Sequence, residues 1–91
     1  MNSGRALVAW NLRRLRVERG FTQERLAAEC GVDRVYVGEI ERELANPTLD
    51  LLSRLADALG ASVSELFAPP EEGAVRSKGI PAGRRSRRKI P

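Results

Sequence analysis

One stretch restricts the fold more than any other: TQERLAAECGVDRVYVGEIE, residues 22–41. It holds two short segments with apolar faces, each opened by a side chain that can cap a helix, with a glycine between them. Thr22 can accept from the free amides of QERLAAEC, whose Leu26, Ala27 and Cys30 share one face and whose stop is Gly31. Asp33 can cap the next segment, in which Val37 and Ile40 point inward together with Val32 just ahead of it. Two helices crossing steeply through a three- or four-residue turn need particular residues at fixed places. They need a small residue where the backbones approach, a turn residue tolerant of positive φ, and apolar residues that lock both helices. Ala27 is the small residue, Gly31 the turn, and Leu26, Cys30, Val32, Val37 and Ile40 the lock. Together they describe a helix-turn-helix.

The flanks extend the same pattern. Val8, Leu12 and Leu15 recur at i, i+4 and i+7, which predicts a helix over about residues 6–19 closed by Gly20. After the pair, Pro47 denies Asn46 a helical conformation and makes a turn of ANP. Thr48 opens a fourth helix in which Leu51, Leu52, Leu55, Ala56 and Leu59 form a broad apolar stripe ended by Gly60. Ser62 and Glu65 form a capping box ahead of Leu66 and Phe67. Five short helices and no strand are expected. Trp10 falls off the first stripe, which leaves it to pack on the terminal helix or in a contact between copies. From Pro69 onward Pro, Gly, Ser and Arg replace aliphatics, and that tail is expected to stay disordered. The division is therefore residues 1–68 as one domain and 69–91 as a basic tail.

Composition excludes several function classes. The chain of 91 residues can build one modest core. It has no histidine and one cysteine, so imidazole catalysis and an internal disulfide are out, and a metal site nearly so. Cys30 reads as a small buried hydrophobe, with a redox sensor as the alternative. No catalytic constellation is recognisable, no cofactor is implied, and Ser62 is a cap rather than a nucleophile. No stretch is long and apolar enough to span a membrane, and the start has no secretory signal, so a cytoplasmic location is expected. The net charge of +4 is unevenly spread. Residues 1–34 carry seven Arg against four acids, 35–72 two Arg against eight, and 73–91 five Arg and two Lys with no acid. The pattern is a basic arm on a slightly acidic body; the alternative is a merely solubilising tail.

The motifs LRRLRVERGFTQERLA, GVDRVYVGEIER, NPTLDLLSRLADALG and SVSELF resemble the phage-repressor and Cro-like helix-turn-helix regulators, the XRE-type family, over about Val8 to Phe67. DRVYVGEIER is also similar to the restriction–modification controller branch. The resemblance implies an all-α, compact five-helix bundle containing a helix-turn-helix, lambda-repressor-like, that binds double-stranded DNA as a homodimer. It implies a repressor or autoregulator reading the major groove with the helix at about 33–42. An antitoxin or protein-interaction module, with a protein partner on the acidic face, is the alternative.

Site roles follow from the matching positions. Gln23 matches a residue that holds a DNA phosphate at a helix N-terminus; otherwise it is an ordinary first-turn residue. Arg34 and Val35 match groove-facing positions, where Arg34 could pair with guanine and Val35 could touch a thymine methyl. Arg34 could instead clamp a phosphate or be a solvated charge. Tyr36 either reaches the phosphate strand with its hydroxyl or packs its ring on the domain edge. Glu41 is expected to pair internally with Arg16. Glu39 is expected on the groove side, accepting from a cytosine amino group or rejecting wrong sequences. Gly38 reads as clearance that lets the helix approach the bases, or as weak selection on an exposed face. Where the family often has glycine followed by basic residues, Glu43, Leu44 and Ala45 stand instead. Phosphate contacts there fall to Asn46 and Arg42, with RRSRRK in the tail adding affinity by counterion release.

Overall fold

The computed structural model describes residues 3–71; the basic tail lies almost wholly outside them. Four α-helices follow in order: α1 (Gly4–Glu18), α2 (Gln23–Cys30), α3 (Arg34–Glu41) and α4 (Leu49–Ala58). The fifth helix expected after Ser62 is a 3₁₀ stretch, Val63–Phe67, and there is no strand among the described residues. A single five-residue turn leaves no room for α-type bonds to propagate, so the tighter form closes the domain.

Each element starts on a side-chain cap. Thr22 accepts from the Arg25 amide at 3.0 Å, Asp33 from Val35 at 3.0 Å and Thr48 from Leu51 at 3.1 Å. Ser3 caps α1 by accepting from Ala6 at 3.0 Å, so that helix begins two residues earlier than its apolar stripe indicates. Ser62 and Glu65 form the reciprocal box, with the Ser62 amide donating to Glu65 Oε1 at 2.8 Å. That backbone bond holds the Glu65 carboxyl below the usual carboxylate range.

Gly31 ends α2 at φ 71°, the left-handed turn the α2–α3 corner requires. The end of α3 reaches the same region without a glycine: Glu43 stands at φ 64°. There the Leu44 amide donates to the Glu39 carbonyl at 2.8 Å and the Glu43 amide to that of Ile40 at 3.1 Å. A left-handed non-glycine residue costs roughly 1–2 kcal/mol, which these bonds offset.

The core unites all the elements. Leu12 and Leu15 of α1, Leu26, Ala27 and Cys30 of α2, Val37 and Ile40 of α3, Leu51, Leu52 and Leu55 of α4 and Leu66 are all buried. Val32, Tyr36 and Phe21 pack partly buried against them, and Trp10 is partly buried. Cys30 Sγ lies 3.6 Å from the Arg54 carbonyl while Arg54 Nη1 donates to the Cys30 carbonyl at 3.2 Å, joining α2 to α4. Burial pushes the Cys30 thiol up, Arg54 opposing the shift, so the sulfur behaves as an apolar group.

Asn11 is the buried polar residue that fastens the closing turn. Its Nδ2, with two hydrogens to share, lies within hydrogen-bond distance of the carbonyls of Leu7 at 2.9 Å, Leu66 at 3.1 Å and Ala68 at 2.8 Å, and its Oδ1 accepts from Arg14 at 3.1 Å. Asn11→Ala should therefore destabilise folding by about 1–3 kcal/mol by stranding those carbonyls, a loss measurable by urea denaturation. An unchanged denaturation midpoint would mean that water replaces the amide without penalty.

Candidate nucleic-acid interface

The geometry of α3 divides its residues into those that lock it and those that face out. Val37, Gly38, Ile40 and Glu41 are buried. Arg34 and Arg42 are exposed, and Val35 is 51% exposed despite its apolar side chain. Tyr36 and Glu39 are partly buried. The Tyr36 ring packs against the core. Asn46, beyond the helix, is exposed and lines a cleft of about 200 Å³ with Gly4, Arg5 and Pro47, beside the start of α1.

Glu41 is the centre of a polar cluster inside the fold. Its Oε2 accepts from Arg16 Nε at 2.7 Å and its Oε1 from Arg16 Nη2 at 3.1 Å. The Arg16 and Glu41 side chains are 5% and 1% exposed. Arg16 Nη1 also donates to the Phe21 carbonyl at 2.8 Å, tying down the turn ahead of α2. Oε1 further accepts from Gln23 Nε2 at 3.1 Å and lies 3.4 Å from Arg13 Nη1. One carboxylate thus joins α1, the first turn of α2 and the end of α3.

Two residues differ from their expected placement. Gly38 does not stand on an open face. It is buried, and a methyl group built on it would meet the Gln23 carboxamide at 3.6–3.9 Å. That distance is ordinary van der Waals contact, so the Gln23 carboxamide covers this position of α3 from the neighbouring helix. Glu39 is partly buried rather than fully open, and its carbonyl holds the turn that follows.

Gln23 sits in the first turn of α2, partly buried, with one amide hydrogen committed to Glu41. A carboxamide has two such hydrogens. The residues expected to touch DNA are therefore brought together in part: Gln23 and Gly38 meet, while Arg34, Val35 and Arg42 are exposed along α3. Arg13 was missed by sequence reasoning, although its i, i+3 relation to Arg16 on α1 is a usable signal.

No helix of the described residues is long and apolar enough to cross a membrane. None of their Cys, Asp and Glu side chains cluster as a group of three that could hold a metal ion.

Comparison with known proteins adds to this geometry. A helix-turn-helix family model, HTH_3, matches residues 12–66. A hypothetical transcription factor of Neisseria meningitidis serogroup B is 44% identical over 68 residues, which are 75% of this chain and 64% of that protein. The chain thus spans somewhat less than two thirds of that relative. The crystal structure of the Neisseria factor aligns with a TM-score of 0.72 at 43% identity, covering 75% of this chain and 78% of that one. The restriction-modification controller protein C.AhdI of Aeromonas hydrophila aligns at 0.67 and 41% identity, over 69% of this chain and 96% of that one. SinR, a master regulator of biofilm formation solved in complex with DNA, aligns at 0.64 and 31% identity, over 67% and 98%.

Two substitutions test the cluster. Arg16→Ala should cost roughly 3 kcal/mol, the low end of the range for an orphaned buried charge because Arg13 remains within reach; a loss below about 1 kcal/mol would show that Glu41 rehydrates. Gly38→Ala should do the opposite and raise stability by about 0.5–1 kcal/mol through helix propensity, because the added methyl makes only ordinary contact with a flexible side chain. A lower melting temperature for Gly38→Ala would show that Gln23 cannot yield.

Proposed function

Since the chain belongs to the HTH_3, XRE-type helix-turn-helix family, we propose that it is a sequence-specific DNA-binding transcriptional regulator reading the major groove with α3. The observation that carries this reading is the division of α3. Its inner residues are locked to α1 and α2, while Arg34 and a half-exposed Val35 stand at its N-terminal end with no core to fill. That is the end a docked second helix presents to base edges. Arg34 suits the paired acceptors of guanine and Val35 the methyl of thymine. Gln23, in the first turn of α2, contributes its remaining amide hydrogen to a backbone phosphate, Tyr36 its hydroxyl, and Arg42 and Asn46 hold the strand beyond α3.

The arrangement is lambda-repressor-like, with the 3₁₀ stretch in the place of a fifth helix. Two copies acting as a homodimer would place two α3 helices one turn of DNA apart, and the regulator represses or autoregulates its own promoter. Likeness to controller proteins and to a regulator solved on DNA supports this reading. Residues 1–68 form the DNA-binding domain, and the basic tail adds sequence-independent affinity. The acid excess of residues 35–72 favours, as a second reading, a protein partner on that face.

Selection of bound sequences from a random duplex pool tests the proposal, and recovery of no common motif would overturn it. On the selected duplex, Arg34→Ala should weaken binding by about 1–3 kcal/mol and relax one base position. Gln23→Ala should weaken all sequences alike, since a phosphate carries no base identity. An unchanged motif after Arg34→Ala would remove Arg34 from the reading surface.

A further inference from the structure

The cleft of about 200 Å³ beside the start of α1 is floored by the buried side chains of Val8, Ile40 and Leu52. A cavity of about 150 Å³ holds a benzene ring, so this one has room for a leucine or phenyl side chain. At its rim stand Leu49, 75% exposed, and Phe67, 37% exposed. Leu49 opens α4 directly after the Thr48 cap, a position that acidic side chains suit better than apolar ones. Leu44, also exposed, precedes Ala45 of the cleft wall in the chain. Of the large apolar side chains exposed among the described residues, only Val35, assigned above to the DNA, belongs to neither the cleft nor its flank.

We propose that this face docks a second copy of the chain, each copy seating its Leu49 in the cleft of the other. This rests on the homodimer reading above and deepens it by naming the surface. A twofold interface is self-complementary and carries both halves of every contact. Here the hole and the knob lie side by side on one copy. A small apolar molecule would fill the cleft but leave Leu44 and Leu49 in water. The placement also agrees with reading by α3. Ile40 of the cleft lies beyond Arg34 by about 9 Å along the helix axis. A partner on this side covers the far end of α3 and leaves Arg34 and Val35 free.

Sedimentation of the full chain between about 1 µM and 1 mM measures its self-association. Leu49→Gln keeps the reach of the side chain and removes its apolar end, while Ala45→Phe fills the cleft from its wall. Each should weaken self-association about hundredfold, roughly tenfold for each of two symmetric contacts. Either variant alone loses both contacts, but a mixed pair restores one: Leu49 of the Ala45→Phe copy enters the open cleft of the Leu49→Gln copy. An equimolar mixture should therefore associate about tenfold more tightly than either variant by itself. Thermal melting, at a concentration where the wild type is monomeric, separates this from a folding defect. Leu49→Gln decides by itself if Ala45→Phe melts lower. Wild-type association in Leu49→Gln, or a mixture of folded variants no tighter than its components, overturns the assignment while leaving the homodimer reading intact. A wild-type chain that stays monomeric both free and on its selected duplex overturns both.

Discussion

Everything that orients α3 depends on a single buried carboxylate. Glu41 lies near the end of the helix and is 1% exposed, a placement that desolvation opposes by several kcal/mol unless the charge is fully met. Arg16 meets it, and the geometry does more than cancel charge. The guanidinium also holds the Phe21 carbonyl, so the turn ahead of α2 cannot move without disturbing the pair. Gln23 then anchors the first turn of α2 to the same oxygen. Apolar packing sets how close α1, α2 and α3 lie, but it is non-directional. The hydrogen-bonded cluster supplies the direction.

Asn11 does comparable work at the opposite end of the chain's path. The 3₁₀ closing turn offers little apolar surface beyond Leu66, and Phe67 stays partly open at 37% exposure. Three carbonyls converge on one amide group. A short irregular segment is thereby pinned to α1 by polar contacts where a longer helix would have used a stripe of side chains. The Arg19 side chain adds a similar tie from the end of α1, donating to the Leu59 carbonyl at 2.9 Å.

How much of this was legible in the sequence follows the range of each interaction. Thr22, Asp33, Thr48 and Ser62 announce their helices because a cap acts over two or three residues. Gly31 does so because only its own φ is at stake. The pairing of Arg16 with Glu41 was legible only through resemblance, since nothing local joins positions 25 apart. The burial of Gly38 was not legible for the same reason: its neighbour in space is Gln23, on another helix. The closing turn was read correctly as capped but wrongly as α-helical, because a capping box opens either kind of helix. Asn11 gave no signal, as a lone amide on a helix looks the same whether it meets water or three carbonyls.

The length of α3 sets a limit of a different kind. On the proposed reading of DNA by α3, its eight residues rise about 12 Å along the axis, which at about 3.4 Å per base pair is a footprint of roughly four pairs. Four positions distinguish only about 250 alternatives, while a genome presents roughly 10⁶–10⁹ competing sites. In informational terms one such helix is an ambiguous address, and the two of the proposed homodimer remain short of a unique one. The missing discrimination has to come from features that the helix does not touch, such as the spacing between half-sites and the stiffness of the DNA between them. A short recognition element thus shifts part of the burden of identity from the protein to the shape of its target.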